Sequence, residues 1–206
     1  MPTVPHIDVV TLRDGSQAVI RPLRGGDRPA LAAAFERLGE QSRYRRFLGP
    51  MPGLTESQLR HLTDVDQRDH VALAAIDSTS GSSIVGVARF IRLADGDVEP
   101  ALVVVDDWQA RGLGTVLLAA LVHVARAQGV RRFQAYVLAD NVDMLRLLRG
   151  IGELRTSCAG PAVHVTVDLA EPTGALAIPA RRRRRRFGVV NEARPLDSRA
   201  TSAYAV

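Results

Sequence analysis

One short segment constrains this sequence more than any other. It is a glycine-punctuated turn that joins an apolar stretch at residues 102–105 to a second apolar stretch at residues 113–125. The turn, Gln109-Ala110-Arg111-Gly112-Leu113-Gly114, has two glycines, which let a backbone approach a ligand closely. The first N–H groups of a helix have no acceptor within it and lie at the positive end of its dipole. We therefore predict a strand, a turn and a helix whose N-terminus binds an anion, with Arg111 adding positive charge.

Other glycine-rich turns bind different ligands, and the sequence argues against two of them. A dinucleotide-binding fingerprint requires a third glycine at position 117, where the chain has Leu117. The phosphate loop of nucleotide hydrolases ends in Gly-Lys-Ser or Gly-Lys-Thr, and this chain contains no lysine. A tight turn without any ligand stays open as an alternative on glycine spacing alone.

Hydrophobic periodicity and turn residues predict the other elements. Two β-branched stretches that meet across Asp14-Gly15 indicate a hairpin, and Thr55 with Gln58 has the spacing of a helix capping box. In chain order, the predicted elements are strands 8–12 and 17–23, helices 27–39, 42–48 and one from residue 55, strands 71–76, 84–93 and 98–105, a helix 114–129, a strand 133–138, a helix 141–148 and a strand 163–169. This order predicts an α/β fold with a mixed, mostly antiparallel sheet and flanking helices.

The distribution of charge divides the chain into a domain and a tail. Residues 1–170 carry 19 arginines and 19 acidic residues, so the net charge of +5 arises in residues 171–206. We predict one domain over residues 1–170 and a disordered basic tail, which lacks apolar periodicity. The arginines at residues 181–186 have the charge to hold nucleic-acid phosphates. Because no aromatic residues are interleaved with them, a solvated tail is the favoured interpretation and nucleic-acid binding the alternative.

Several kinds of protein and site are excluded by what the sequence lacks. No stretch reaches the roughly 20 apolar residues of a membrane-spanning helix, and residues 1–10 do not resemble a secretory signal. A single cysteine, Cys158, rules out an internal disulfide and a cysteine zinc site. The histidines show no metal-ligand spacing. We therefore expect a cytoplasmic protein without membrane association and without a bound metal.

The strand and the turn together resemble a known motif. Val103-Val104-Val105 followed by Gln109-x-x-Gly112-x-Gly114 is similar to the acyl-CoA motif of the GNAT family of N-acetyltransferases, and the likeness extends over about residues 11–169. The resemblance implies acetyl-CoA as the acyl donor. It also implies that the backbone of the three valines pairs with the pantetheine arm, and that the pyrophosphate is cradled by Gly112, Leu113, Gly114 and Thr115.

Further segments support the resemblance and narrow it. Leu138-Ala139-Asp140-Asn141 is similar to a family segment whose asparagine flanks the pantetheine, although Asn141 suits a helix cap equally well. Residues 12–15, 20–23 and 42–47 look like parts of the catalytic domain of bacterial protein-lysine acetyltransferases. The resemblance therefore implies a protein lysine as the acceptor, with a small amine or a hydrazine-type drug as the alternative.

Acetyl transfer to lysine requires the neutral amine. At pH 7, removing a proton from a group with a pKa of about 10.4 costs about 4.6 kcal/mol, so a general base is expected. Glu99 is the candidate, because it lies ten residues before Gln109, where lysine-acetylating members of the family place a glutamate. Asp97 is the second candidate. We predict that Glu99 accepts the proton, directly or through a water molecule, and that a backbone N–H near Val104 stabilises the charge on the thioester oxygen.

The chain departs from the family at the position of the general acid. Many members carry a tyrosine seven residues after the asparagine, which protonates the departing thiolate, and this chain has Leu148 there. A thiol pKa of about 8.5 lets the thiolate leave unassisted near neutral pH. Tyr136 is a candidate substitute, although sheet packing is its favoured interpretation. A regulator that binds acyl-CoA without turnover therefore stays open as an alternative function.

Overall fold

The computed structural model describes residues 7–159 and 161–169; the predicted tail at residues 171–206, with its arginines at 181–186, lies outside them. The described elements, in chain order, are β1 (Ile7–Thr11), β2 (Gln17–Pro22), α1 (Arg28–Glu36), α2 (Glu40–Phe47), α3 (Glu56–Thr63), β3 (His70–Asp77), β4 (Ile84–Arg92), β5 (Val98–Val104), α4 (Leu113–Ala127), β6 (Arg132–Leu138), α5 (Val142–Arg149), β7 (Glu153–Ala159) and β8 (Ala162–Asp168). Within these ranges no helix has the length and apolarity to cross a membrane.

The described strands form one sheet in the spatial order β1-β2-β3-β4-β5-β6-β8-β7. Each neighbouring pair is antiparallel except β5 with β6, which is parallel. Helices α1, α2 and α3 connect β2 to β3, and α4 connects β5 to β6. The predicted α/β fold with a mixed, mostly antiparallel sheet and flanking helices is confirmed.

Strands β3 and β4 form the centre of the core, because helices cover both faces of the sheet there. Successive strand residues point to opposite faces. On β4, a side chain at Gly86 would meet Leu117 of α4, whereas the neighbouring Val87 lines a cavity with Leu31 and Phe35 of α1. This two-sided cover explains why both strands are buried along nearly their whole length.

Strands β5 and β6 meet at one point and then separate. Their pairing is confined to Val98 and Phe133 within the described residues, whereas β5 pairs with β4 from Val98 to Val104. Parallel neighbours need a crossover connection, which α4 supplies. A cleft therefore opens along the free edge of β5 and leads to the N-terminus of α4.

The structure also contains a strand that the sequence pattern did not predict. β7 (Glu153–Ala159) pairs with β8 at the outer edge of the sheet. Glu153, Arg155, Thr156 and Ser157 are exposed. Polar and charged side chains are typical of an edge strand, so this one has no clear apolar periodicity to reveal it.

Candidate functional site

The free edge of β5 presents backbone groups to the cleft. Val105 N–H donates to the Val85 carbonyl at 3.0 Å, so Val103 and Val105 direct their backbone groups toward β4. By the alternation of an antiparallel ladder, Leu102 and Val104 direct theirs into the cleft. Of the three valines predicted to pair with a donor, Val104 has this orientation. An extended ligand can therefore lie along the edge as an added strand would.

The N-terminus of α4 opens into the same cleft. Gly112 is the N-cap, with a φ of 93° that glycine adopts without steric cost. Its carbonyl accepts hydrogen bonds from the N–H groups of Thr115 and Val116, at 3.1 and 3.3 Å. The N–H groups of Leu113 and Gly114 precede the first helical acceptor and have no partner within the helix. Together with the helix dipole, these donors make an anion-binding site at one end of the cleft.

Arg111 holds the turn together and does not line the cleft. Its guanidinium lies 3.0 Å from the Asp14 carboxylate and above the Trp108 ring. The Arg111 carbonyl accepts a hydrogen bond from Arg13 N–H at 3.1 Å, which ties the β1–β2 turn to the turn before α4. Arg13 lines the cleft and packs against Gly112. The charge that the sequence assigned to Arg111 is therefore also available from Arg13.

The wide part of the cleft is a groove of about 400 Å³ with a cationic lining. The Nε atom of Arg45 is buried there without a hydrogen-bond partner among the described residues, so its N–H can donate to an anionic ligand. Arg43 of the same helix turns away: its Nε donates to the Leu38 carbonyl at 2.8 Å and its guanidinium lies over the Phe35 ring. The groove-lining arginines are Arg13, Arg45, Arg46 and Arg146.

Gln109 positions α2 and the end of β5. Its side-chain nitrogen lies 3.0 Å from the Val104 carbonyl and 3.1 Å from both Ser42 Oγ and Asp106 Oδ1. Asp106 also accepts hydrogen bonds from the Ser42 hydroxyl at 2.6 Å and from Gly39 N–H at 3.0 Å. Sequence reasoning missed Ser42 and Asp106, because nothing in either segment indicates that α2 and this turn meet. The Val104 carbonyl is occupied by Gln109, which leaves the Val104 N–H for a ligand.

The other end of the cleft is narrower and contains Glu99. This side chain is only 6% exposed, and the following residue, Pro100, has no N–H that the open edge of β5 would leave unpaired. Glu99 lines a cavity of about 50 Å³ together with the apolar side chains of Leu118 and Leu121 from α4. A carboxylate is thus held at the narrow end of a cleft whose wide end presents hydrogen-bond donors and positive charge.

Asp97, the second candidate base, has a different position. Its Oδ2 accepts a hydrogen bond from the side-chain amide of Gln134 and lies 3.5 Å from the Arg132 guanidinium. Arg132 in turn lies 2.9 Å from the Asp168 carboxylate of β8. These contacts tie β5, β6 and β8 together where β5 and β6 meet, and Asp97 does not line the Glu99 cavity. The geometry favours Glu99 over Asp97.

Three further residues named from the sequence lie around Glu99. Leu148 is 2% exposed and forms part of the apolar wall of the cavity. Tyr136 lines the same cavity, and its ring centroid lies 5.0 Å from that of His164 on β8. Asn141 caps α5 by accepting a hydrogen bond from Met144 N–H at 3.2 Å, and it also lines both the groove and the cavity. Both sequence interpretations of Asn141 are therefore compatible.

The core beside this end of the cleft contains a buried arginine next to a half-buried, neutral histidine. Arg89 pairs with Ala101 of β5, is 3% exposed, donates to the Leu62 carbonyl at 3.1 Å and lies 3.1 Å from His70 Nε2. Burial lowers the pKa of Arg89 to about 9, and burial together with the Arg89 charge lowers the pKa of His70 to about 3. A guanidinium only donates, so His70 Nε2 is the acceptor and the neutral ring carries its proton on Nδ1.

No group of side chains in the described residues could hold a metal ion.

Comparison with known proteins finds relatives that are described as acetyltransferases. A family model described as the acetyltransferase (GNAT) family matches residues 33–152. The chain is 34% identical over 146 residues to Acetyltransferase PA5475 of Pseudomonas aeruginosa, covering 70% of this chain and 78% of that protein. It is 32% identical over 145 residues to Acetyltransferase Pat of Mycolicibacterium smegmatis, covering 69% of this chain but only 43% of that protein. Its fold is similar to the crystal structure of the GNAT domain of S. lividans PAT, with a TM-score of 0.72, 33% identity, and coverage of 78% of this chain and 96% of that one.

Proposed function

The chain belongs to the GNAT family of acetyltransferases, and we propose that it transfers an acetyl group from acetyl-CoA to the side-chain amine of a protein lysine. One observation carries the proposal: a cleft along the open edge of β5 joins the anion-binding N-terminus of α4 to Glu99. Such a cleft suits a donor that has phosphates at one end and a reactive thioester at the other.

The donor-binding part of the proposal rests on backbone groups and arginines. The pyrophosphate lies against the N–H groups of Leu113 and Gly114, within the loop formed by Gly112 and Thr115. The pantetheine arm lies along the open edge of β5, where Leu102 and Val104 direct their backbone groups into the cleft, and Asn141 flanks the arm from the start of α5. Of the other predicted binding residues, Val103 and Gln109 also line the groove, whereas Val105 and Arg111 support the edge and the turn from behind.

Glu99 supplies the base in the proposed reaction. The lysine ammonium gives a proton to the Glu99 carboxylate, directly or through a water molecule, and the neutral nitrogen attacks the thioester carbon. The carbon–nitrogen bond forms and the carbon–sulfur bond breaks, so the CoA sulfur leaves with the bonding electron pair. The nitrogen then loses its second proton to solvent, which balances the proton that the thiolate takes up. The Val104 N–H faces the cleft and is placed to stabilise the negative charge that develops on the thioester oxygen.

The departing sulfur has no tyrosine at the usual place, because Leu148 occupies it. A thiol with a pKa of about 8.5 leaves as a thiolate at neutral pH at modest cost and takes its proton from solvent. Tyr136 lines the Glu99 cavity and is 46% exposed. Among the described residues that line this cavity, it is the one whose side chain has a hydroxyl group, and that hydroxyl can supply the proton. We assign it this role only as a second route.

The choice of a protein lysine rests on the likeness of residues 12–15, 20–23 and 42–47 to bacterial protein-lysine acetyltransferases, together with the buried base. A small amine or a hydrazine-type drug is the alternative acceptor. The apolar residue at Leu148 favours a second candidate function, a regulator that binds acyl-CoA without turnover.

The experiment that tests the proposal uses the full chain, acetyl-CoA and a cell extract. Release of free CoA is followed with a thiol reagent, while mass spectrometry detects newly acetylated proteins and small amines. Acetylated protein lysines support the proposal. Acetylated small amines without acetylated proteins would transfer it to the alternative acceptor. Binding of acetyl-CoA without consumption in the presence of every acceptor would establish the regulator instead.

A further inference from the structure

The narrow end of the cleft, next to Glu99, contains more space than the Glu99 side chain fills. The cavity there measures about 50 Å³, which exceeds the roughly 30 Å³ that a water molecule occupies in the liquid. Its walls come from different elements: Leu118 and Leu121 of α4, Val137 of β6 and Leu148 of α5. All four side chains are buried. These apolar walls can bury the hydrocarbon part of an occupant, which is favourable.

The polar residues of the cavity are unevenly distributed. Three of them, Arg45, Arg46 and Asn141, line both this cavity and the wide groove, so they lie where the two spaces join. Two polar residues, Glu99 and Tyr136, line the cavity but not the groove. The other residues that line only the cavity are apolar. The deep part of the cavity therefore offers hydrocarbon surface, and the cationic groups lie at its mouth.

The orientation of a bound donor brings its acyl group to this cavity, an inference that rests on the proposed function. A donor whose pyrophosphate lies at the N-terminus of α4 and whose arm follows β5 points its thioester toward the junction of Val98 and Phe133. The cavity lies next to that junction, where β5 and β6 have separated, and it is lined by Glu99 and Ala101 of β5 and by Ala135 and Val137 of β6. An alkyl group that the thioester carries then lies next to this cavity.

We propose that this cavity accepts acyl chains one or two carbons longer than acetyl, so that propionyl-CoA and butyryl-CoA are donors as good as acetyl-CoA or better. Leu148 is central to the inference, because a tyrosine there would put a larger, polar side chain into the wall. The transfer step is unchanged: the carbon–sulfur bond breaks, the carbon–nitrogen bond forms and Glu99 takes the amine proton. Only the alkyl group attached to the reacting carbon differs.

The expected size of the effect follows from the burial of hydrocarbon. Each buried methylene contributes about 0.8 kcal/mol, which is about a fourfold change in a dissociation constant at 25 °C. Propionyl-CoA should therefore bind about fourfold more tightly than acetyl-CoA. Butyryl-CoA should retain or extend this gain until the cavity is full, and much longer chains should lose it because the walls are closely packed.

The test measures the dissociation constants of CoA, acetyl-CoA, propionyl-CoA, butyryl-CoA and succinyl-CoA for the full chain by calorimetry, without any acceptor. Two variants change the cavity in opposite directions. Ala135→Val adds two methyl-sized groups to the β6 wall, and Leu148→Val removes one methylene from the α5 wall. The propionyl-to-acetyl preference should fall severalfold in the first variant, and the butyryl-to-acetyl preference should rise in the second. Thermal unfolding of each variant verifies that it is folded.

Different failures have different meanings. If propionyl-CoA binds more weakly than acetyl-CoA in the wild type, or if neither variant changes the preference, the acyl-pocket inference is wrong while the proposed function stands. If succinyl-CoA binds more tightly than butyryl-CoA, the arginines at the mouth govern the acyl group and the inference is also wrong. If no CoA species binds at all, the proposed function fails and this inference fails with it.

Discussion

The two ends of the cleft are built by different means. At the end next to α4, called the phosphate end because the proposed function puts the donor's phosphates there, the proposed ligand-binding groups are the backbone N–H groups of Leu113 and Gly114, which one contiguous segment supplies. At the other end, Glu99 is enclosed by side chains from β5, β6, α4 and α5, which only the fold brings together. Under the proposed function, donor binding therefore depends on local backbone geometry, whereas the reaction depends on one carboxylate in a tertiary environment. Variants at the two ends should therefore separate binding from turnover.

The largest expected effect is at Glu99. Glu99→Gln keeps the size and shape of the side chain, but it replaces one acceptor oxygen by an NH2 donor and removes the ability to take a proton at neutral pH. Turnover should fall by about 10²- to 10⁴-fold, the usual contribution of a general base, while the dissociation constant of acetyl-CoA changes less than about twofold. Steady-state kinetics and calorimetry measure the two quantities.

Asp97→Asn is the matched control, because Asp97 lies two residues away on the same stretch of chain and contacts Arg132 and Gln134 outside the cavity. It should keep turnover within about threefold of the wild type. Full activity of Glu99→Gln at every pH would remove Glu99 from the mechanism.

The second effect is on stability, in the core next to Glu99. His70 has a folded-state pKa of about 3, below the value of about 6.5 expected in the unfolded chain. Between these values the unfolded state binds the extra proton, so the stabilisation is fully present above pH 6.5 and is lost as the pH falls. The free energy of unfolding should drop by about 2 to 3 kcal/mol between pH 6.5 and pH 4.5 from this residue alone.

Urea unfolding of the wild type and of His70→Gln at both pH values isolates that contribution. In the variant, the fall in stability over this range should be smaller by about the stated amount, because a glutamine side chain does not titrate. Equal falls in the two proteins would mean that His70 is not held neutral beside Arg89.

The third effect is at the phosphate end. Gly112→Ala places a Cβ on a residue with a φ of 93°, which costs about 1 to 2 kcal/mol of stability, and it should also weaken acetyl-CoA binding severalfold by displacing the adjoining N–H groups. Gly129→Ala is the matched control, because Gly129 at the opposite end of α4 has a φ of 77° and no atom near its added Cβ. It should lose comparable stability and bind acetyl-CoA normally. Equal binding by both variants would argue against phosphate recognition at Gly112.

The smallest expected effect is electrostatic. Arg146 lines the groove with a side chain that is 80% exposed, so its attraction to a phosphate is screened by solvent. Arg146→Gln should weaken acetyl-CoA binding by no more than about fivefold, and less at high salt. Arg149→Gln, on the same helix but outside the groove, should leave binding unchanged. If the two variants behave alike, Arg146 is not part of the donor site.

The sequence predicted the conformation of the turn at Gly112 better than the surroundings of Glu99, for a physical reason. The turn at Gly112 and the helix after it are local, so their conformation and their unsatisfied N–H groups follow from a few adjacent residues. The orientation of the three valines depends on the register with β4, which no local pattern reveals. The sequence therefore could not separate Val104, whose backbone faces the cleft, from Val103 and Val105.

Side-chain partners were predicted least well. Arg111 was expected to add charge at the turn, but it is bound to Asp14 and lies over Trp108. Arg146 comes to the groove only because α5 packs beside it. The edge strand β7 was missed because an exposed strand needs no apolar face. Each of these outcomes depends on contacts between segments that are distant along the chain.

The most direct test of the central claim is an amide NMR titration of the nitrogen-labelled full chain with acetyl-CoA. The claim is that the donor lies along β5 with its phosphates at the N-terminus of α4. The account predicts the largest shifts at the N–H groups of Leu113 and Gly114, together with Val104, and little change along β1 and β7. Saturable binding that leaves these three amides unshifted, or the absence of any binding, would contradict it.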